Sequence, residues 1–306
     1  MSFEVINPGL LALIQDLGRF GYQHMGITTG GPMDEHAFCW ANRILDNPQN
    51  VPQLEITFGK LTLKALADTC IAITGADLNA RIGDKKIQPW NTYRIRKGDT
   101  LNFDSPKNGL RAYLAVKGGF TIDLQLDSAS TVSREKIGGI KNGRALKQGD
   151  VLRFTPCKDD IKTRTPKWAI PDYTAPLELG VMLGYQYSDF PNNDIMTLFS
   201  SAYEVSSHID RMGYRLSGQA IRCNRDGIIS EGIAYGAIQI PKDGQPIVLM
   251  RDRQTIGGYP KIGCLSALGA GQLAQRAPGS QISFYQMDVG EAEAQRVIFN
   301  RVMQTK

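Results

Sequence analysis

One short pattern recurs along the chain and limits what it can fold into. Gly98-Asp99-Thr100-Leu101-Asn102-Phe103 is matched by Gly149-Asp150-Val151-Leu152-Arg153-Phe154, and more loosely by Gly279-Ser280-Gln281-Ile282-Ser283-Phe284. Each is a glycine turn feeding a strand with two apolar side chains on one face. The unequal intervals argue against a solenoid and for strands that close sheets or barrels. Thirty-two glycines and 15 prolines break up short apolar runs across 306 residues, so most of the chain reads as β. Helical spacing is confined to residues 33–45, with Asp34 placed to cap, and to the tail at 289–302. Residues 155–176 carry Pro156, Pro166, Pro171 and Pro176 among charges and read as a linker. The expected division is therefore a β-rich lobe over 1–165 and a second over 177–306.

Composition removes several function classes. Hydrophobic residues make up 42% and charged residues 21%, an ordinary globular balance. The net charge of +5 is spread along the chain, so neither nucleic acid nor a membrane is an expected partner. No apolar run approaches 18 residues, and the N-terminus lacks a basic leader. Cys39, Cys70, Cys157, Cys223 and Cys264 lie far apart with no C-x-x-C pair, which fits a reducing cytoplasm and gives no zinc motif. With only His24, His36 and His208, no metal centre is expected. A phosphate-binding G-x-x-x-x-G-K-[ST] loop, a dinucleotide fingerprint and a G-x-S-x-G elbow are all missing.

Chemistry concentrates between Ile229 and Cys264. Two apolar runs, 237–240 and 246–250, flank Pro241-Lys242-Asp243-Gly244, a hairpin signature. Period two puts Ile238 and Ile240 on one face and Gln239 on the other. Arg251, Asp252, Arg253, Gln254 and Thr255 follow, then Gly257-Gly258, which lack Cβ atoms and admit close approach, then Tyr259 and Lys261. Either this is a binding surface, or it is a charged hairpin end with a tight turn.

Several stretches together carry a resemblance. They are Asn7-Pro8-Gly9 with Ile14-Gln15-Asp16-Leu17-Gly18-Arg19, Gly30-Gly31-Pro32-Met33-Asp34 to Asn42, Leu54-Glu55-Ile56-Thr57, and Ile73-Thr74-Gly75-Ala76. Arg111-Ala112-Tyr113 with Gly118-Gly119, Ser128-Ala129-Ser130-Thr131, Gly138-Gly139, Asp210-Arg211-Met212-Gly213-Tyr214-Arg215 and the 230–261 stretch complete the set. In this order they resemble the allophanate hydrolase subunit 2 family, also called the carboxyltransferase C/D subdomain family. The resemblance implies a mainly β fold of two cyclophilin-like β-barrel lobes with a few short helices. It implies the role of the C-type subunit in an ATP-dependent 5-oxoprolinase. Its partners would be the B-type subunit, which is like allophanate hydrolase subunit 1, and the lactam-opening A-type subunit. ATP with Mg2+ would be handled through the complex. Two alternatives stay open: a biotin-dependent carboxyltransferase component acting on urea or a similar small amide, and a regulatory antagonist that binds a kinase inhibitor resembling the B-type subunit. Ile209, Leu268, Asp127 and Lys60 depart from the family pattern, the last two standing where relatives usually carry glycine.

A lactam or urea carbonyl is a poor electrophile and needs its oxygen phosphorylated or polarised by preorganised donors. On that chemistry Asp252 and Glu231 are base candidates, and Tyr259 donates to an oxyanion or stacks. Gln239 and Gln245 orient the amide. Arg211, Arg215 and Lys261 hold anionic groups, with Gly257 and Gly258 giving room. Asp34, Asn42, Glu55, Thr57 and Thr74 are further binding candidates. Asp34 equally serves as a helix cap, Asn42 as a helix-end bonder, and Arg211 as half of a salt bridge with Asp210 that fixes a turn. If Arg211 and Lys261 are purely functional, replacing either with Ala abolishes activity and leaves the melting temperature within a few degrees.

Overall fold

The computed structural model describes residues 1–304, and these divide into two compact units. The first comprises Met1–Arg19 and Gly30–Thr174, the second Phe20–Thr29 and Ala175 onward. Both are mainly β. Among the described residues no helix is long and apolar enough to cross a membrane.

The first unit is built from β1 (Ser2–Pro8), β2 (Leu11–Gln15), β3 (Gln53–Thr57), β4 (Leu61–Ala65), β5 (Thr69–Asp77), β6 (Arg81–Ile82), β7 (Lys85–Lys86), β8 (Asn91–Ile95), β9 (Thr100–Asn102), β10 (Asn108–Val116) and β11 (Val151–Arg153). They form two sheets, in the orders β11-β1-β4-β9-β6-β7 and β2-β3-β10-β5-β8. Apolar side chains of both sheets, Phe3, Leu63 and Leu101 from one and Ile56, Ile73 and Leu114 from the other, share one core. The recurring glycine turns do what their pattern predicts. Gly98 and Gly149 adopt positive φ just before β9 and β11, in the same sheet.

Helix α1 (Glu35–Ile44) packs on the second of these sheets. Asp34 caps it, its Oδ1 accepting from Ala37 N at 3.0 Å. The phenol of Tyr173 donates to the other Asp34 oxygen at 2.8 Å. That contact belongs to the proline-rich stretch expected to be a linker, which instead lies along the first unit. The backbone N–H of Thr92 donates to the Thr163 carbonyl at 3.0 Å, and Asn91 bridges to Arg164. Prolines suit such an edge, where not every residue must donate to a ladder.

The second unit centres on a closed barrel. Its strands are β12 (Leu177–Leu183), β13 (Ala202–Ile209), β14 (Gly213–Gly218), β16 (Ala237–Gln239), β17 (Ile247–Leu249), β19 (Lys261–Leu265) and β20 (Gln281–Gln286), in the order β12-β19-β16-β17-β14-β13-β20. The expected hairpin is β16–β17, paired Ile238 to Val248 and Gln239 to Ile247. Parallel pairing of β12 with β20 closes the ring, leaving no edge exposed. Alternate residues point inward: Ile238, Val248, Tyr214, Leu216, Tyr203 and Phe284 are all at most 1% exposed. A short ribbon of β15 (Glu231–Gly232) and β18 (Ile256–Gly257) stands beside the barrel. Helices α2 (Asn192–Ser200), α3 (Ala267–Leu273) and α4 (Val289–Gln304) complete the unit.

Candidate functional site

Because the barrel interior is filled by its own side chains, binding groups must come from outward-facing positions. On β14, β17 and β16 those positions are Gly213, Arg215, Ile247, Leu249 and Gln239. They form the floor of a cleft of about 810 Å3. One wall is the end of β13 and the turn into β14, with Ser207, His208, Ile209, Asp210 and Met212; the other is Arg253, Gln254, Gly257, Gly258 and Tyr259, together with Ile233. A bulge between β16 and β19 falls at Gln239: Ile238 pairs with Gly263, but Gln239 with Lys261. Bulges re-aim side chains, and this one lies at the residue whose carboxamide lines the cleft.

Two polar groups in the cleft keep hydrogen-bonding capacity that no protein group among the described residues takes up. The Gln239 side chain is 6% exposed and has no protein hydrogen-bond partner among the described residues. Arg253 is 7% exposed and forms no ion pair there. Its Nε donates to the Ile233 carbonyl at 3.1 Å and its Nη1 to the Met250 carbonyl at 3.4 Å. Burial, and then the neighbouring Arg251 cation, lower the Arg253 pKa to about 10. A guanidinium held at that cost is poised to gain from an arriving anion. Sequence reasoning misses Arg253. No local pattern distinguishes it from Arg251, which stacks at 4.1 Å from the Tyr235 ring centroid.

The other expected site residues sort by what already engages them. Asp252, expected as a base, accepts from Arg211 through Nε and Nη2, both at 2.8 Å, and both residues are buried. The Asp252 N–H also donates to the Arg211 carbonyl at 2.7 Å. This fork ties the two cleft walls together and so positions Arg253 beside it. Glu231 is likewise committed. It accepts from Lys261 Nζ, from the Tyr185 hydroxyl and, at 2.9 Å, from Gln186 Nε2. Lys261, then Tyr185, hold the Glu231 carboxyl below its ordinary pKa. Since Glu231 pairs with Gly257, the cluster anchors the ribbon that carries the glycine wall. Arg215 lines the floor and is ion-paired to Asp243. Gln245 brackets Gly218, accepting from its N–H at 2.8 Å and donating to its carbonyl at 3.2 Å, and so fixes a loop instead of orienting an amide. Tyr259 is 46% exposed at the mouth.

In the first unit the remaining candidates meet around α1 and its sheet, where internal bonds occupy them. Glu55 accepts from Met33 N at 2.8 Å and from the Tyr113 hydroxyl at 2.7 Å. Tyr113 also accepts from Asp34 N, and burial followed by the Glu55 and Asp34 charges raises its pKa well above the usual phenol value. Thr74 donates to the Ala37 carbonyl at 2.6 Å, and Asn42 donates to the Gln49 and Val51 carbonyls. Thr57 Oγ1 is buried without a hydrogen-bond partner. Of the family departures, Ile209 lies on the cleft wall and Leu268 in an apolar groove between α3 and α4.

Among the described residues no group of three or more His, Cys, Asp or Glu side chains is placed to hold a metal ion. A nucleotide triphosphate does not fit the cleft's donors either. Arg253 is its one buried cation, and no phosphate-binding loop is present.

Known proteins resemble the chain over nearly its whole length. Residues 25–286 match the family described as carboxyltransferase domain, subdomain A and B, where the motifs suggested the C/D label. The chain is 36% identical over 293 residues to the C-type subunit of 5-oxoprolinase from Escherichia coli (strain K12), covering 94% of this chain and 92% of that protein. The counterpart of the same name from Haemophilus influenzae gives 36% over 292 residues, with the same coverage. Urea amidolyase of Saccharomyces cerevisiae is 30% identical over 304 residues, but the match takes in only 16% of that protein. The crystal structure of K. lactis urea amidolyase superposes with a TM-score of 0.93 at 27% identity over 99% of this chain, which spans one-fifth (20%) of that larger chain. The chain therefore belongs to the carboxyltransferase domain family, subdomain A and B.

Proposed function

We propose that the chain acts as the C-type subunit of an ATP-dependent 5-oxoprolinase, working with B-type and A-type partners to open the lactam of 5-oxoproline to glutamate. The observation that carries this reading is the end-to-end match: 36% identity spanning 94% of this chain and 92% of a protein named as that subunit of 5-oxoprolinase. The larger urea-directed proteins contain the same region as a small fraction of their length. The cleft is compatible with the reading, since it offers a carboxamide to pair with an amide edge and a guanidinium to pair with a carboxylate. Under this reading ATP with Mg2+ is handled through the complex.

A second reading has one observation in its favour. The TM-score of 0.93 to urea amidolyase supports a carboxyltransferase component acting on urea or a similar small amide, with biotin carried elsewhere. Co-expressing the chain with its A-type and B-type partners and following glutamate release from 5-oxoproline and ATP separates the two. Glutamate formation that needs all three chains supports the first. A complex inert toward 5-oxoproline but able to carboxylate urea from carboxybiotin would replace it with the second.

A further inference from the structure

The two incompletely partnered groups in the cleft, Arg253 and Gln239, specify a ligand more narrowly than the family does. A guanidinium has five N–H donors, and only Nε and Nη1 of Arg253 find carbonyl oxygens. Both donors on Nη2 remain, in a planar group whose preferred complement is a carboxylate. Arg215, the other arginine in the lining, is already matched to Asp243. The Gln239 carboxamide presents a donor and an acceptor side by side. Only an amide whose own N–H and C=O lie on one edge pairs with both at once. A ring forces that arrangement on a lactam, and primary amides and ureas also have it, whereas an ordinary trans peptide does not. Ile233, Ile247 and Leu249 add apolar surface for ring methylenes.

We infer that this chain, without its partners, carries the recognition site for a small lactam bearing a carboxylate, with Arg253 taking the carboxylate and Gln239 the amide edge. Arg211 and Asp252 are positioning residues for Arg253, and Gly257 is the positioning residue for Gln239. A Cβ at Gly257 would lie 2.7 Å from Gln239 Nε2 and 3.3 Å from Ile233 Cδ1. The φ of Gly257 is not in the left-handed region, so an alanine there displaces the tip of the glutamine side chain and presses lightly on Ile233, without backbone strain. That the amide is a lactam, and 5-oxoproline the probe, rests on the function proposed above; the carboxylate-plus-amide-edge chemistry does not.

Calorimetric titration of the purified full chain tests the inference. The probes are 5-oxoproline, 2-pyrrolidinone (lactam without carboxylate), cyclopentanecarboxylate (carboxylate without lactam) and urea. 5-Oxoproline is expected to bind at least tenfold more tightly than the other three. Arg253→Gln is expected to weaken 5-oxoproline about 10- to 100-fold, the worth of a charge-assisted hydrogen bond, and to leave 2-pyrrolidinone unchanged. Gly257→Ala should weaken 5-oxoproline and 2-pyrrolidinone about tenfold and spare cyclopentanecarboxylate. If Arg253→Gln fails to fold, Arg253→Lys, which keeps the charge and loses the fork, decides together with Gly257→Ala. The inference is overturned if 5-oxoproline binds no better than 2-pyrrolidinone, if neither foldable variant changes its affinity, or if the isolated chain does not bind it. A complex that opens 5-oxoproline while the isolated chain ignores it sinks this inference alone. A chain that binds 5-oxoproline inside a complex unable to open it sinks the proposed function alone.

Discussion

Arg211→Ala is the most informative single perturbation, because it separates the two roles the sequence leaves open. Read from sequence, Arg211 either grips substrate, so that its loss spares stability, or is half of a salt bridge. In the fold its side chain is 6% exposed and its partner Asp252 10%, joined by two hydrogen bonds of 2.8 Å. Removing one member of a buried pair strands the other charge, at a cost of about 3–5 kcal/mol. For a unit of this size each kcal/mol lowers the melting midpoint by about 2–4 °C, so a fall of roughly 10 °C or more is expected. Asp252→Ala should cost a similar amount. Arg211→Ala/Asp252→Ala should be less damaging than the sum of the singles, since no charge is left stranded. Arg211→Met/Asp252→Leu should recover most of the loss. Differential scanning calorimetry of the four proteins reads all of this. A single-mutant midpoint within 2 °C of the parent, or strict additivity in the double mutant, would refute the claim that the fork is structural.

Three other perturbations follow from the same structure. Asp150 accepts from Arg144 twice at 2.7 Å, from Lys141 at 2.9 Å and from the Lys147 N–H at 2.7 Å. Burial alone would raise its pKa, but those cations outweigh burial and hold the carboxyl well below the ordinary value of 3.8. Its contribution is therefore complete above pH 3.8 and fades as pH falls below it. Asp150→Asn should cost about 2–3 kcal/mol at pH 7, and urea melts should show the gap narrowing steadily as pH falls below 3.8. A gap of the same size at pH 2 as at pH 5 would contradict this. Burial, then Arg251, lower the Arg253 pKa to about 10, with Asp252 also on its own loop, Tyr235 and Cys264 next to it, and Asp210, His208 and Arg215 around the cleft. Affinity for a carboxylate ligand should then fall about tenfold per pH unit above pH 10, with the fold verified by circular dichroism. Unchanged affinity at pH 11 would mean another group holds the anion. Finally, Gly59 has a φ of +75°, and a Cβ there would overlap the Asp104 carbonyl. Gly59→Ala should destabilise the first unit by about 2–4 kcal/mol, measured by thermal melting.

What can be read from sequence is local. The β16–β17 hairpin follows from turn chemistry between two apolar runs. Asp34 caps its helix because capping needs only the next turn. The two positions where the family pattern has glycine and this chain does not, Lys60 and Asp127, have φ of 60° and 59°. There a pattern departure becomes a backbone fact: the site requires the left-handed region whichever residue occupies it. Charge partners are not legible. Arg211 finds Asp252 across 41 residues, and Lys261 finds Glu231 across 30. Whether an arginine is matched or unmatched depends on which loops the barrel register brings together, and no spacing encodes that. For this reason sequence passes over Arg253, and assigns Asp252 and Gln245 to a ligand when their own neighbours already engage them.

This sorting also bears on whether the chain does chemistry alone. Opening a lactam requires a group that activates water or the carbonyl, and proton transfer by such a group needs a carboxylate or imidazole free to act. In this cleft the nearby carboxylates are engaged: Asp252 by Arg211, Glu231 by Lys261, and Asp210 by the N–H groups of Met212 and Gly213. His208 stands exposed on the wall and Tyr259 at the open mouth, where water competes for every hydrogen bond. On the function proposed above, such a cleft would bind and orient, and a second surface would have to cover it before charge could develop away from solvent. The isolated chain is therefore expected to bind 5-oxoproline without releasing glutamate, with or without ATP. Adding the partner proteins should start turnover without tightening the ligand by more than the covered area allows. Glutamate release by the isolated chain above the level of a heat-denatured control would show that one of these engaged carboxylates is free to act after all.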